Sequence, residues 1–327
     1  MKITLKKGLN LNIAGAVPQG STPAPVHTHV VAICPDDFPG FQPKAAVSAG
    51  DAVQRGTALL FDKRHPQVKL ISPVAGKVRE VVRGDRRKII RVEVEVSDVD
   101  DAQIFEAAES GEAFRTLLAE SGLLAMMRQR PYDIVPAPDA TVRDIFVTAY
   151  RTAPLDHDVD VPSAPEVKTA AKAVSALAAI TSGKVYISHS ADGQWPEVPG
   201  AEMVAVAGPH PAGNAGVQIA NIKPVNKGET VWTLDWDVLL RIGRLLESGK
   251  VDTSVTVAVT GPEVEMPSLV TTVAGAQIAP IVAGRLKDDG RHKRIISGNV
   301  LTGTAVGSGE DAFLRAPYRQ ITVIAEG

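Results

Sequence analysis

The chain has one cysteine, Cys34, in 327 residues. An intrachain disulfide is thereby excluded, and so is any CxxC-based zinc or iron–sulfur site. Such thrift with thiols predicts a reducing compartment. Aromatic residues make up only 4% of the chain, so valine and alanine carry much of the apolar content, which favours sheet-rich units with small-residue helices. No run reaches the ~18 apolar residues that span a bilayer. The opening MKITLKKGLNLNIAGA lacks the long apolar core of a secretory leader. Neither sign of charge is in excess: 35 Lys+Arg stand against 37 Asp+Glu. Nucleic acid is therefore excluded as the main partner. Also missing are HExxH, a Walker motif and GxSxG. These absences predict a soluble protein, or one peripheral to a membrane.

What is present divides into three segments. Residues 1–100 read as all-β. Two strand–turn units, PKAAVSAGDAVQRGTALLFD (43–62) and VKLISPVAGKVREVVRGDRRKIIRVEVEV (68–96), supply turns at Gly50-Asp51 and Ala75-Gly76, and RVEVEV alternates apolar and charged residues. The basic knot Arg83–Lys88 (RGDRRK) lies between two valine-rich runs and reads most simply as a solvated hairpin turn. The pairing of GDxVxxG with SPVxGxV is similar to the barrel-sandwich domains of lipoyl and biotinyl carriers. Those carriers bear a modified lysine at a hairpin tip. Here the tip is FDKRHPQVK, without the flanking pattern of biotin carriers, so Lys63 and Lys69 read as structural.

Residues 101–250 alternate helix and strand, which predicts an α/β layer structure with a mostly parallel sheet. GEAFRTLLAESG places Phe114, Leu117 and Leu118 on one helical face, with Gly122 at its end. EVKTAAKAVSALAAITSG (166–183) predicts a helix with Val167, Ala171, Val174 and Ala178 as its apolar stripe. DWDVLLRIGRLLESGK (235–250) predicts another, capped by Asp235, ended by Gly249, with Val238, Leu239, Ile242, Leu245 and Leu246 inward. DIFVTAY, KVYISHS and EMVAVAG read as strands. Residues 251–327 hold strands at VTVAVTGPEV and RQITVIAEG, around a short helix near Ala279–Arg285, a β-grasp-like set.

The glycine-rich GPHPAGNAG (208–216) follows a strand, the place where α/β proteins often cradle phosphate. A cradle needs a helix to open after it. VQIANIKPVNKG carries β-branched residues and a proline and does not read as a helix, and two prolines inside the loop remove N–H donors. The loop is therefore not expected to hold a nucleotide, and His210 is expected to fix the loop by bonding a neighbouring carbonyl. His27 and His29 alternate without an acidic or thiol neighbour and read as an incidental strand pair.

The segments Ile3–Val17, Gly50–Lys63, Ile71–Arg86, Arg128–Asp139 (RQRPYDIVPAPD), Phe146–Leu155 (FVTAYRTAPL), GPHPAGNAG and ISGNVLTG, in this order, resemble the A subunits of the bacterial Na⁺-translocating NADH:quinone reductase. The resemblance spans essentially the whole chain. It implies a barrel-sandwich domain over 1–100, a Rossmann-like α/β domain over 101–250 related to the flavin subunit of complex I, and a β-grasp, SLBB-like domain over 251–327. Where those relatives use a glycine-rich loop for flavin and NADH, this chain reads SGLLAMMRQRPYDIVP, whose large side chains would block a flavin phosphate. The resemblance thus implies no cofactor in this chain, flavins and iron on partner subunits, ubiquinone as substrate, and a place on the cytoplasmic face of the inner membrane among the other subunits. It implies a further helical segment after ISGNVLTG, whereas this sequence ends at ITVIAEG. Quinone sites want flat apolar walls with few polar groups. Phe38 and Phe41 in DDFPGFQP could stack on the ring, and Arg130 or Tyr132 in RQRPYDIVP could donate to its carbonyl. Two other readings stay open. A stand-alone flavin-dependent NADH oxidoreductase would be yellow. A carrier module would show a modified lysine by mass.

Overall fold

A computed structural model describes residues 1–327. The first segment folds as two facing sheets. One runs Val30–Ile33, Ile89–Val96, Gly76–Arg83, Ala52–Val53, and the other Pro43–Ala45, Ala58–Asp62, Lys69–Ile71. The RGDRRK knot is the turn between the two longest strands, as its flanking valines predict.

The α/β unit is a six-stranded sheet in the order Lys2–Thr4, Glu202–Ala207, Val185–Ser190, Ile145–Ala149, Val231–Asp235, Arg128–Arg130. All neighbours are parallel except the Arg128–Arg130 edge. Side chains of Ile145–Ala149 alternate between faces. Ile145 and Val147 join the main core with helices α2 (Ala164–Ala178) and α4 (Trp236–Ser248), whereas Phe146 packs with Ile219 of α3 (Ala215–Ile222) on the other face. Helix α1 (Gly111–Glu120) buries Phe114, Leu117 and Leu118, and Gly122 follows in a left-handed conformation, as predicted. Helix α4 starts at Asp235 and ends at left-handed Gly249, with the predicted inward face.

Three expectations need correction. The buried stripe of α2 is Ala170, Ala173, Val174 and Leu177 rather than Val167, Ala171, Val174 and Ala178. The helix packs along α4, where Thr169 lies against Gly243. A helix does follow GPHPAGNAG. Its residues contribute Ile219 to a buried cluster, and buried Gln218 bonds Ala212 O and Thr148 Oγ1, so packing outweighs the weak helix propensity of VQIANI. Finally, the N-terminal residues do not stay with the first segment. Lys2–Thr4 pairs with Glu202–Ala207, and Ala24–Pro25 pairs with Ser268–Val273.

The third segment forms a mixed sheet, Thr304–Val306, Lys293–Ser297, Gln320–Ala325, Ser254–Thr260, Ser268–Val273, Ala24–Pro25, with helix α5 (Ile278–Val282) against it. It has its own apolar cluster, while the barrel and the α/β unit share one continuous core.

The α2–α4 contact has no room for a methyl group. A Cβ at Gly243 would lie 2.3 Å from the Thr169 carbonyl oxygen. Gly243→Ala is expected to destabilise the chain by about 2–3 kcal/mol in urea denaturation. Gly309→Ala, with open space around it, is expected to change stability by less than about 0.5 kcal/mol.

Candidate functional site

Two concavities lie where the units meet. The first is apolar, with room of about 100 Å³, and all three segments wall it. Phe38 and Leu70 come from the barrel, Leu123 and Met126 from the turn after α1, and Val255 and Leu314 from the third segment. Its polar rim is an ion pair: Arg315 Nε lies 2.7 Å from Asp37 Oδ1, and the Ala316 N–H donates to Asp37 Oδ2 at 3.0 Å. Burial pushes the Asp37 carboxyl up, against the pull of Arg315. Cys34 also lines this cavity, and burial pushes its thiol up to about 11, so the thiol stays protonated near neutrality. Arg241 reaches the same wall from α4, 5% exposed, donating to Ser254 O.

The second concavity is a polar cleft of about 620 Å³. It sits over the carboxyl ends of Ile145–Ala149 and Val231–Asp235, the strands on either side of which the sheet order reverses. Open α/β sheets place ligand crevices there. Gly213–Val217, at the start of α3, form one side. The lining residues include three arginines, Arg130, Arg151 and Arg319, against three aspartates, Asp133, Asp156 and Asp235. Nothing in that balance selects a phosphate. Arg130 Nε is buried without a hydrogen-bond partner, and its guanidinium pairs with Asp133 at 3.4 Å.

Arg319 closes the cleft. It leaves the third segment, pairs with Asp235, and lies 2.8 Å from Asp237, which Arg151 holds from the other side at 2.6 Å. Asp235 begins α4 without a side-chain cap bond because its carboxylate faces Arg319 instead. Burial would lower the Arg319 pKa, but Asp237 and Asp235 overturn that and raise it. Burial likewise opposes ionisation of Asp237, yet Arg319, Arg151 and Arg241 hold its carboxyl at about 2.

The structure brings the two predicted loops together without assembling the four predicted side chains. Val135 N–H donates to Pro39 O at 2.8 Å, and Arg128 Nη2 donates to Asp37 O at 3.2 Å. Phe38 lines the apolar cavity. Phe41 is buried in the core and does not. Arg130 faces the polar cleft, and Tyr132 is 77% exposed. His210 corrects another expectation: its Nδ1 lies 3.2 Å from the Thr152 hydroxyl, not from a carbonyl. What fixes the loop is its backbone, since His210 O accepts from Leu9 N–H and His210 N–H donates to Asn10. His27 and His29 are exposed, and no three histidine, cysteine or carboxylate side chains are grouped to hold a metal ion. Sequence reasoning missed Arg241, Arg315 and Arg319. Arg241 had a signal, because it falls on the apolar stripe of α4 between Val238 and Leu245. Arg315 and Arg319 had none.

Comparison with known families accounts for nearly the whole chain. Residues 3–97 match the NqrA N-terminal barrel-sandwich hybrid domain, 109–251 the NqrA second alpha/beta domain, and 256–308 the NQRA C-terminal domain. The A subunit of the Na(+)-translocating NADH-quinone reductase of Serratia proteamaculans is 37% identical over 335 residues, covering 99% of this chain and 74% of that one. The chain belongs to the NqrA family. The corresponding A subunits of Neisseria meningitidis serogroup A and Yersinia pestis are also 37% identical, again over 99% of this chain and 74% of theirs. Among solved structures, an NAD⁺-reducing [NiFe]-hydrogenase aligns at a TM-score of 0.40 and 14% identity, over 57% of this chain and 41% of that one. The family's three-part architecture is the one predicted: barrel-sandwich hybrid, α/β domain and SLBB-type domain. No helix is long and apolar enough to cross a membrane.

The arginine cage predicts an acid-side response. The folded Asp237 pKa lies below its ordinary 3.8, so its stabilisation is present above about pH 4 and is lost as pH falls toward 2. Asp237→Asn is expected to lower the urea midpoint at pH 7 and to flatten its decline between about pH 4 and 2. Parallel urea titrations of the native and variant chains at neutral pH and across that acid range check this.

Proposed function

We propose that this chain serves as the A subunit of a Na⁺-translocating NADH:quinone reductase, and that it meets the ubiquinone ring at the three-unit junction. On this reading it is a peripheral component on the cytoplasmic face of the inner membrane. It holds no redox centre, and electrons reach quinone through flavins and iron on partner subunits.

One observation carries the quinone part. The junction is a cavity walled mostly by apolar side chains, Phe38 and Met126 among them, with its charged groups, Asp37, Arg241, Asp252, Arg315 and Arg319, in the minority. That is the composition that suits a quinone ring. Its room of about 100 Å³ is below the ~150 Å³ at which an apolar cavity takes up benzene. The ring therefore enters by widening the seam between Leu123–Met126 and the third segment. Arg315 and Arg241 are the donors placed to meet a quinone carbonyl as the seam opens. Of the four residues named from sequence, Phe38 is the one to stack on the ring. Phe41 supports it from the core, while Arg130 and Tyr132 stand outside the cavity.

The polar cleft gives the second reading, a flavin-dependent NADH oxidoreductase acting alone, its only observation. That reading requires a yellow protein that oxidises NADH without partners. The isolated chain is expected to be colourless and inert toward NADH.

Photolabelling with a short-chain azidoquinone tests the cavity. Label in peptides covering 34–38, 121–127 and 251–255, displaced by unlabelled quinone, is the expected result, and Phe38→Ala is expected to reduce it severalfold. Absence of competable label from all three peptides removes the quinone contact and leaves an assembly role. Membership of the complex is read separately, by co-purification with the remaining subunits.

A further inference from the structure

The turn that closes the long barrel hairpin has a feature that hairpin closure does not require. Arg83, Arg86, Arg87 and Lys88 crowd its tip with one acid, Asp85, and all five side chains are exposed. Lys88 is engaged by Asp36 at 2.6 Å, whereas Arg83, Arg86 and Arg87 take part in no ion pair. Arg86 and Arg87 both adopt left-handed backbone conformations, with φ of 52° and 60°. Such positions favour glycine, because a side chain there crowds the following carbonyl. The sequence thus puts free cations where an uncharged glycine would fit with less strain, and strained positions of this kind cluster at functional sites. The tip is held in place by three backbone bonds, Gly84 N–H to Lys88 O at 2.9 Å, Arg87 N–H to Gly84 O at 3.1 Å and Lys88 N–H to Asp85 O at 3.1 Å, and Arg83 Nη1 donates to Arg87 O at 3.1 Å, which leaves its charge unpaired. Beside it stands Ile90, 36% exposed.

We infer that this 83–90 hairpin tip binds the anionic surface of a lipid bilayer. The tip lines none of the main cavities, so it offers no concavity to read a shaped ligand. Clustered arginines meet lipid phosphates without needing one, and Ile90 reaches the headgroup boundary. RGDRRKII contains no aromatic residue on which a nucleic-acid base could stack. The inference rests on the peripheral-membrane part of the proposed function and supplies the surface that meets the membrane.

The test is flotation of the full chain with phosphatidylcholine vesicles, pure or with roughly 30% phosphatidylglycerol, at low and high salt. Binding to the anionic vesicles only, and loss of it at high salt, is expected. The double variant Arg86→Gly, Arg87→Gly removes two charges and relieves both strained positions. Its vesicle affinity is expected to fall about 30-fold, at about 1 kcal/mol per charge near the surface, with no drop in thermal midpoint. Arg86→Lys, Arg87→Lys is expected to bind as the native chain does. Native-like binding by the glycine variant, equal binding to pure phosphatidylcholine, or no binding by the native chain overturns the inference. Preference for a single-stranded oligonucleotide over the anionic vesicles overturns it in favour of nucleic acid. Failure on vesicles with intact co-purification of the other subunits removes the hairpin's role and leaves the proposed place in the complex standing.

Discussion

Arg319 is the residue on which the arrangement of the units depends. It comes from the third segment and ends between two carboxylates at the start of α4, Asp235 and Asp237. A buried guanidinium without partners would carry a large desolvation cost, and two carboxylates without it would repel each other. Each side therefore needs the other, and the third segment is fixed against the carboxyl edge of the α/β sheet. The apolar cavity and the polar cleft both take their shape from this placement, because Arg319 lines both.

The two concavities differ because their walls come from different parts of the sequence. The apolar one is built by turns that leave strands and helices pointing inward, among them Leu123, Met126 and Leu314. The polar one is built by the ends of parallel strands, where backbone groups and loop polar residues gather. Helix α3 opens onto that cleft, so the sequence argument against a phosphate cradle loses its premise. The balance of arginines and aspartates there supplies a separate physical reason for the cleft not to single out an anion.

Local patterns were legible in the sequence. Although the expected Asp235 side-chain cap is not made, because Arg319, 84 positions away, takes its carboxylate, the α4 face and its Gly249 stop follow from apolar spacing and C-cap chemistry that act within a few residues. The barrel turns and the Arg83–Lys88 hairpin are legible for the same reason. Helix α3 was not, because what forms it is Gln218 and Ile219 meeting residues some seventy positions away. The α2 stripe was misassigned because alanines give little contrast between faces. The candidate site was half legible. The proline-rich loops around Phe38 and Arg128 do pack together, but Arg315 meets Asp37 from 278 residues away and Arg319 meets Asp235 from 84 residues away, beyond any local pattern.

The first thirty residues have a consequence for how the protein is made. Met1 donates its ammonium to Met203 O, Lys2–Thr4 adds a strand beside Glu202–Ala207, Gly261 N–H donates to Gly15 O, and Ala24–Pro25 pairs with Ser268–Val273. These residues thus leave the ribosome well before their partners, which lie some two hundred positions later. During synthesis this stretch waits unpaired while the barrel beside it can already close, and long-range pairing of this kind comes late and slowly. This stretch is then the last of these pieces to settle, and once in place it laces the two later units together.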